Sequence, residues 1–163
     1  MNVPIHHLKY FKGEDDFKRT ELRYLDLLKM QLIEDPRNVK IYFDIWLTYR
    51  NILKDFNNAL EYFKKALDIE ESSEILISIG KTYSDMGKTE ESIKFYNKAS
   101  AIDPKNPVVF VNIGIYYYRR QLYEEALVNL KKSLELGITN RQFVIEFIEK
   151  IKSEMWFDAS KKI

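Results

Sequence analysis

The chain has 163 residues, 45% of them hydrophobic and 31% charged, and its 26 Lys and Arg nearly balance its 25 Asp and Glu, for a formal net charge of +1. This composition excludes an intrinsically disordered or membrane-embedded chain, and the charge balance disfavours nucleic acid as a ligand because phosphate binding requires clustered surplus cations. The sequence has no cysteine, which excludes disulfides, thiol catalysis and cysteine-bound metals, and it has no apolar run of signal-peptide or membrane-spanning length, so we expect a soluble cytoplasmic protein that does not bind membranes.

The first predicted helix covers about residues 15 to 33, because four leucines fall on one helical stripe. They are Leu22, Leu25, Leu28 and Leu32. Asp35-Pro36 ends this helix, and a short helix at Ile5 to Phe11 could precede it. We therefore expect residues 1–37 to form a degenerate repeat or a helical flank. His6 and His7 lie in this region, but adjacent side chains on a helix point about 100° apart, so we expect no metal site.

From residue 38 onward one helix face recurs at a constant interval, which we call the repeat period. Its four positions hold Tyr42, Ile45, Trp46 and Tyr49, then Leu76, Ile79, Gly80 and Tyr83, then Phe110, Ile113, Gly114 and Tyr117. Offsets of three, four and seven place four residues on one face of an α-helix. A face that returns after about 34 residues predicts stacked helical pairs, which bury a core only against their neighbours.

A second helix is predicted after each of these faces. It carries a small, a large and a small residue: Ala59, Phe63 and Ala66, then Ser92, Tyr96 and Ala99, then Ala126, Leu130 and Ser133. Small residues allow the two helices of a pair to approach closely. Gly87 and Gly137 are predicted to end helices, and Asn106-Pro107 to begin one. In the first pair the two halves are one residue further apart, which leaves the register of its first helix open by one.

This pattern resembles the tetratricopeptide repeat, and the second copy matches it best, with Leu76, Gly80, Tyr83, Tyr96 and Pro104 in place. The resemblance implies an all-α fold, a right-handed α-α superhelix of about three helix-turn-helix repeats with helical flanks. We expect repeats at residues 38–71, 72–106 and 107–139, then a capping helix over 140–163, all in one continuous domain.

The predicted C-terminal helix has an unusually apolar end. Phe143, Phe147, Ile151 and Met155 follow one another in four-residue steps and form a stripe that could cover the end of the third repeat. Trp156 and Phe157 extend the apolar surface beyond that need, and exposed aromatics often mark contacts with another chain. Self-association through this helix is therefore an option.

In tetratricopeptide arrays the first helices line a concave face that holds partners, which the resemblance implies here as well. The candidate groove residues are Phe43, Leu47, Ile77, Lys81, Ser84, Val111, Asn112, Ile115, Tyr118 and Arg119. We expect Asn112 to be a hydrogen-bonding anchor, with Tyr118 and Arg119 at the rim. For Phe43, Ile77 and Val111 the alternative is packing between neighbouring helices, and the sequence leaves the two open.

The sequence contains none of three common motifs of enzymes: His-Glu-x-x-His, Gly-x-Ser-x-Gly and a phosphate-binding glycine loop. The carboxylates are instead predicted to pair with lysines four positions on, as in a solvated helix face: Glu61 with Lys65, Glu90 with Lys94, Glu146 with Lys150. Lys65, Lys98 and Lys132 recur on the second helices, either as part of this solvated face or as a basic stripe. We expect no enzyme and no cofactor.

Some members of the family clamp the C-terminal carboxylates of heat-shock chaperones with cationic and amide residues at fixed first-helix positions. Those places hold Phe43, Leu47, Ser78, Val108 and Asn112 here, without the cations that a clamp requires. The sequence therefore predicts a scaffold or adaptor whose groove binds a peptide or helix of another protein. A small assembly chaperone for one dedicated client and a self-assembling scaffold are the alternatives.

Overall fold

The computed structural model describes residues 14–160, and every regular element among them is helical. The elements are α1 (Glu14–Glu34), α2 (Val39–Leu47), a π-helix (Thr48–Leu53), α3 (Phe56–Ile69), α4 (Ser73–Asp85), α5 (Thr89–Ile102), α6 (Pro107–Arg119), α7 (Tyr123–Glu135) and α8 (Arg141–Ser160). The chain divides into two compact units, Met1–Glu71 and Ser72–Ile163. The helix considered at Ile5 to Phe11 and the two histidines lie outside the described residues.

The helical pairs follow the predicted period. The helices α2, α4 and α6 begin at Val39, Ser73 and Pro107, each one repeat period after the last, and each is followed by its second helix. The helix α8 begins at Arg141, one further period on. It therefore occupies the place of the first helix of a fourth pair.

The buried face of α8 agrees in part with the predicted stripe. Ile151 is buried against residues of α7, and Phe147 and Met155 pack against the same cluster, whereas Phe143 is 47% exposed. Val144 and Ile148, which lie beside the predicted stripe, are buried there as well. The buried residues continue the repeating pattern from α6, since Val144 lies one repeat period after Phe110.

Each turn between the two helices of a pair contains one residue with positive φ. These residues are Lys54, Gly87 and Gln121, with φ of 55°, 74° and 60°. The prediction that Gly87 ends a helix is confirmed, because a left-handed residue after the last turn is a common helix stop. The predicted start of α6 is also confirmed: Asn106 Oδ1 accepts a hydrogen bond from the Val108 N–H at 3.1 Å, and Pro107 is the first helical residue.

The π-helix absorbs the extra residue of the first pair. The interval from the start of α2 to the start of α3 is one residue longer than the corresponding interval in each of the other two pairs. A π-helix accommodates one more residue per turn by bonding five residues back, and here the Lys54 N–H donates to the Tyr49 carbonyl. Because the insertion follows Leu47, the face from Tyr42 to Trp46 keeps its periodic register.

Close approach of the paired helices requires glycine at two positions. A Cβ on Gly80 would lie 2.5 Å from Cε1 of Tyr96, and a Cβ on Gly114 would lie 2.8 Å from Cγ of Leu130. Both distances are shorter than van der Waals contact. In the first pair the equivalent position holds Trp46, whose ring stacks on Phe63 at a centroid distance of 4.6 Å.

Only one of the three predicted carboxylate–lysine pairs is present in the described chain. Lys65 Nζ lies 2.7 Å from Glu61 Oε1, as expected. Glu90 instead binds Arg120 and the hydroxyl of Tyr116, because α6 ends beside the start of α5. Glu146 accepts from Gln142, and Lys150 pairs with Glu154 at 3.8 Å. Other neighbours have therefore replaced two of the predicted partners.

The recurring lysines of the second helices lie over aromatic rings. The Nζ atoms of Lys65, Lys98 and Lys132 are 5.0, 5.8 and 3.9 Å from the ring centroids of Tyr62, Phe95 and Phe110. Cation–π contacts of this kind stabilise a solvated helix surface by about 0.5–1 kcal/mol each. This placement favours the solvated face over a basic stripe that binds an acidic partner.

Candidate functional site

Two of the candidate groove residues lie in the unit Met1–Glu71. Phe43 is half-buried, and its ring meets that of Phe63 edge-on at 4.7 Å, so much of its surface is used within the α2–α3 pair. Leu47 is the last residue of α2 and is exposed. Of these two, Leu47 therefore offers the more accessible side chain.

In the unit Ser72–Ile163 the candidate residues of α4 differ in exposure. Ile77 is only 5% exposed, which fits the packing alternative and leaves little surface for a partner. Lys81 and Ser84 are half-buried. The accessible candidate residues of α4 thus lie in its second half.

Arg119 and Ser84 are brought together although they are distant in the sequence. Arg119 Nη1 donates a hydrogen bond to Ser84 Oγ at 2.6 Å. Arg119 ends α6 and Ser84 is the second-last residue of α4. The bond therefore joins the C-terminal ends of two successive first helices, and it positions the guanidinium at their edge.

Asn112, the expected anchor, uses part of its amide within its own helix. Its Nδ2 donates to the Val108 carbonyl at 2.7 Å, one turn back. An asparagine amide carries two N–H donors and an acceptor oxygen. This internal bond fixes the orientation of the half-buried side chain while the amide retains further hydrogen-bonding capacity.

Tyr118, the expected rim residue, contacts the C-terminal helix. Its hydroxyl donates to Glu154 Oε1 at 2.9 Å, and its ring meets that of Phe147 edge-on at 4.9 Å. Lys150 Nζ lies 5.2 Å from the ring centroid, and a hydrogen bond with Tyr118 raises the pKa of Lys150. Val111 likewise packs against the cluster formed by α7 and α8. Tyr118 and Val111 thus help to hold α8 in place. Ile115, which lies between them in the sequence, is half-buried.

A row of aromatic rings crosses from α6 to α8, and the sequence analysis assigned only its α6 member, Tyr118, to the groove. Phe143 stacks on Phe147 at 6.1 Å, and Phe147 meets Tyr118. We call Tyr118, Phe147 and Phe143 the aromatic row. The repeat period could have indicated Phe143, which lies one period after Val109 and two periods after Ile75. Both of those residues are fully buried. Phe143 occupies the same position of the repeat but keeps 47% of its surface exposed.

The part of the chain that the structure describes lacks the features of two other site classes. No three His, Cys, Asp or Glu residues there lie close enough together to hold a metal ion. None of its helices has the length and apolar character that a membrane crossing needs.

Family models match two parts of the chain. One, described as a tetratricopeptide repeat, matches residues 40–73, and another, described as a TPR repeat, matches residues 80–121. Among curated proteins, the photosystem I assembly protein Ycf3 of Prochlorococcus marinus is 34% identical over 100 residues, which are 59% of this chain and 57% of that protein. A TPR repeat-containing protein of Methanocaldococcus jannaschii is 27% identical over 107 residues, covering 66% of this chain and 18% of that protein. The chain thus spans little more than half of the first relative's length.

Solved structures share the fold at low sequence identity. The crystal structure of MamA superposes with a TM-score of 0.62 at 18% identity, covering 93% of this chain and 99% of that one. The Cut9 and Hcn1 hetero-tetramer of the APC/C gives a TM-score of 0.66 at 11% identity, covering 72% of this chain and 22% of that one. These likenesses and the helical pairs confirm the predicted all-α fold class of stacked helical repeats.

Proposed function

The chain is a tetratricopeptide-repeat protein, and we propose that it is a non-catalytic scaffold that binds a segment of another protein through the first helices of the unit Ser72–Ile163. Proteins of this kind bind other proteins, and none of the relatives named above is an enzyme by name. We keep the predicted repeat boundaries and a cytoplasmic location as parts of the proposal.

The observation that carries this proposal is the aromatic row, whose Tyr118 lies on α6, the helix that also carries Asn112 and Arg119. Phe143 and Phe147 provide apolar surface that is not fully buried, and burial of such surface stabilises a complex by about 25 cal/mol per Å² before ordering costs. Asn112 and Arg119 provide hydrogen-bonding groups whose orientation is held by Val108 and Ser84. Apolar area with a few oriented polar groups is the usual composition of a binding site.

A peptide or a helix from the partner would lie along these first helices. Its apolar side chains would contact the aromatic row, and its backbone or polar side chains would bond to Asn112 and Arg119. Preorganised side chains lose little entropy on binding, and both polar residues already have internal bonds that fix them. This is the physical reason to place the contact here and not on the lysine-rich second helices.

A role as an assembly chaperone with one dedicated client is the second candidate. The observation in its favour is that curated relatives from several Prochlorococcus marinus strains are named photosystem I assembly proteins. Such a client would bind the same surface. An assembly chaperone and a general adaptor therefore differ only in how many different proteins they bind. Affinity capture that recovers one protein favours the client, and capture of several favours a general adaptor.

The test is a double substitution on the proposed surface, Asn112→Ala with Arg119→Glu. We expect partner capture to fall at least about tenfold, the effect of losing roughly 1.4 kcal/mol of binding. The melting temperature should stay within a few degrees, because exposed substitutions such as Arg119→Glu are worth about 0.5 kcal/mol or less and alanine at position 112 is a better helix former than asparagine.

The matched control is Asn129→Ala with Lys131→Glu on α7. Asn129 makes the same bond one turn back, to the Glu125 carbonyl at 2.8 Å, and Lys131 is exposed. Capture by the α6 variant that equals capture by this control would place the binding surface elsewhere.

Self-association through α8 is a further option within the scaffold role. Trp156 is 73% exposed, and Phe157 beside it is exposed as well. Large aromatic side chains at the surface commonly mark a contact with another chain.

A further inference from the structure

The helix α1 has a buried side and an apolar side that faces solvent. It packs against α2 and the π-helix, and its Leu25 and Leu28 are buried. Four large apolar residues of α1 are exposed instead, one of them by as much as 82%: Leu22, Leu27, Met30 and Ile33. At about 100° per residue they fall within a sector of about 140°, on the side away from Leu25 and Leu28. An exposed apolar face of this kind marks a contact with another protein chain.

The spacing of these four residues matches that of a second copy of α1 that runs in the opposite direction. Leu22 lies five residues before Leu27, and Met30 and Ile33 lie three and six residues after it. Two copies can pack antiparallel about a two-fold axis that passes between residues 26 and 27. Leu22 of one copy then lies within about 3 Å, measured along the helix, of Met30 and Ile33 of the other. Leu27 lies beside its own counterpart, so every exposed apolar residue meets another.

The charges on the same face favour the antiparallel arrangement over a parallel one. Arg19 and Arg23 lie in the first half of α1, whereas Glu34 is its last residue, and all three are exposed. About the axis described above, Arg19 of one copy lies level with Glu34 of the other, and Arg23 lies about one turn away. A parallel pair would place arginine against arginine and glutamate against glutamate. Asp26 lies near its own counterpart in both arrangements and does not distinguish them.

We propose that two copies of this chain form a dimer in which their α1 helices pack antiparallel about a two-fold axis beside Leu27. In such a contact the same surface serves both copies, so the Arg19–Glu34 pair forms twice. The carboxylate of Glu34 also opposes the dipole at the C-terminal end of its helix, and an arginine of the other copy offsets this. The dimer uses neither α8 nor the proposed partner-binding surface, so its failure would leave the proposed function intact.

The first test reverses the charges of the contact one at a time. Arg19→Glu and Glu34→Arg each turn both attractive pairs into pairs of like charge. Like charges placed against each other disfavour association, so each variant should dimerise at least about tenfold more weakly than the wild type. Sedimentation velocity over a wide concentration range measures the average mass, which for the wild type should rise from 19.5 kDa toward twice that value. Lys131→Glu, at an exposed residue of α7, is the matched control and should dimerise like the wild type.

Mixing the two α1 variants tests the register of the contact. The Arg19→Glu copy has glutamate at both positions, and the Glu34→Arg copy has arginine at both. A mixed antiparallel dimer therefore regains two attractive pairs, and the mixture should dimerise as tightly as the wild type. The Lys131→Glu variant has the same net charge as the Arg19→Glu variant. Its mixture with Glu34→Arg should contain no such mixed dimer of wild-type strength, which separates the specific pairs from a general attraction between opposite net charges.

A second test addresses the apolar part of the contact. Leu27→Glu would place two carboxylates side by side at the two-fold axis, and we expect dimerisation to weaken at least about tenfold. Val128→Glu is its matched control, since Val128 is 65% exposed on α7. Circular dichroism checks that every variant is folded, and serine at position 27 serves the same design if the glutamate variant is not.

Several results would overturn the antiparallel contact. A wild type that is monomeric at all concentrations shows that α1 does not bind a second copy. If the Leu27→Glu variant dimerises like the wild type, self-association uses another surface, such as α8. If Arg19→Glu and Glu34→Arg each dimerise as well as the wild type, the two α1 helices do not run antiparallel. A mixture of these two variants that is no tighter than either one alone shows that Arg19 and Glu34 are not opposite each other.

Discussion

Gly80→Ala is predicted to destabilise the protein although alanine is the better helix former. Replacing glycine with alanine inside a helix normally stabilises it by about 1 kcal/mol. At Gly80, however, the new Cβ would lie 2.5 Å from Cε1 and 2.7 Å from Cδ1 of Tyr96. Tyr96 is buried, and its flat ring cannot shorten, so α4 and α5 must move apart or the ring must leave its rotamer. Overpacking of this kind costs roughly 1–3 kcal/mol, and we expect a net loss of about 1 kcal/mol.

A double-mutant cycle isolates this cause. Tyr96→Ala removes the ring whose Cε1, Cδ1 and Cζ atoms are the nearest to the new Cβ. In the Tyr96→Ala background the overpacking should be relieved, and Gly80→Ala should then stabilise by about 0.5–1 kcal/mol. The coupling energy between the two positions should be about 1.5–2 kcal/mol, within the range for residues in contact.

Urea unfolding followed by far-ultraviolet circular dichroism measures each free energy of unfolding. Gly87→Ala is the control, because Gly87 has φ of 74° and no atom lies within 4 Å of the place that a Cβ would take. It should lose about 1 kcal/mol from backbone strain alone, with the same value in both Tyr96 backgrounds. A Gly80→Ala variant that gains the full helix-propensity term would refute the close approach of α4 and α5.

Two further predictions concern the first pair. Asp55 caps α3 by accepting hydrogen bonds from the backbone N–H and side-chain amide of Asn58 at 3.1 and 2.6 Å, and the Asn58 bonds lower the pKa of Asp55. Because the folded pKa lies below the unfolded value of about 3.9, this stabilisation is present above that value and is lost as the pH falls through the folded pKa. Asp55→Ala should therefore cost about 1 kcal/mol at neutral pH and the difference in unfolding free energy should vanish in strong acid; a difference independent of pH would contradict the cap. Deleting Asn51 from the π-helix should leave a folded protein with a regular α-helix there, whereas deleting Asp85 from α4, which has no extra residue, should lower the urea midpoint strongly; equal effects would show that the π-helix is not the site of the insertion.

The sequence by itself determined the helical pairs and their spacing. A helix face that recurs at the repeat period can bury its apolar side only against a copy of itself, so the starts of α2, α4 and α6 follow from the pattern. Local chemistry determined several ends: Gly87 takes a positive φ at low cost, and Asn106 with Pro107 begins α6. The glycines at positions 80 and 114 lie where the paired helices approach closely, because a residue without a side chain lets the partner helix come near. The function class followed from the resemblance to the tetratricopeptide repeat, while the groove residues themselves stay a proposal.

Only the tertiary structure decided which neighbours the side chains meet. One extra residue in the first pair was visible in the spacing, but only the structure shows that a π-helix after Leu47 accommodates it. Glu90 had a lysine four residues away, yet it binds Arg120, which the fold brings from 30 residues on. Tyr118 occupies a position expected at an open rim, but α8 lies beside it and takes up its hydroxyl and one side of its ring. A helical period shows which residues share a face of a helix. The neighbours that cover this face are elements distant in the sequence, and the period does not specify them. For this physical reason the fold was predictable from the sequence and the accessible surface was not.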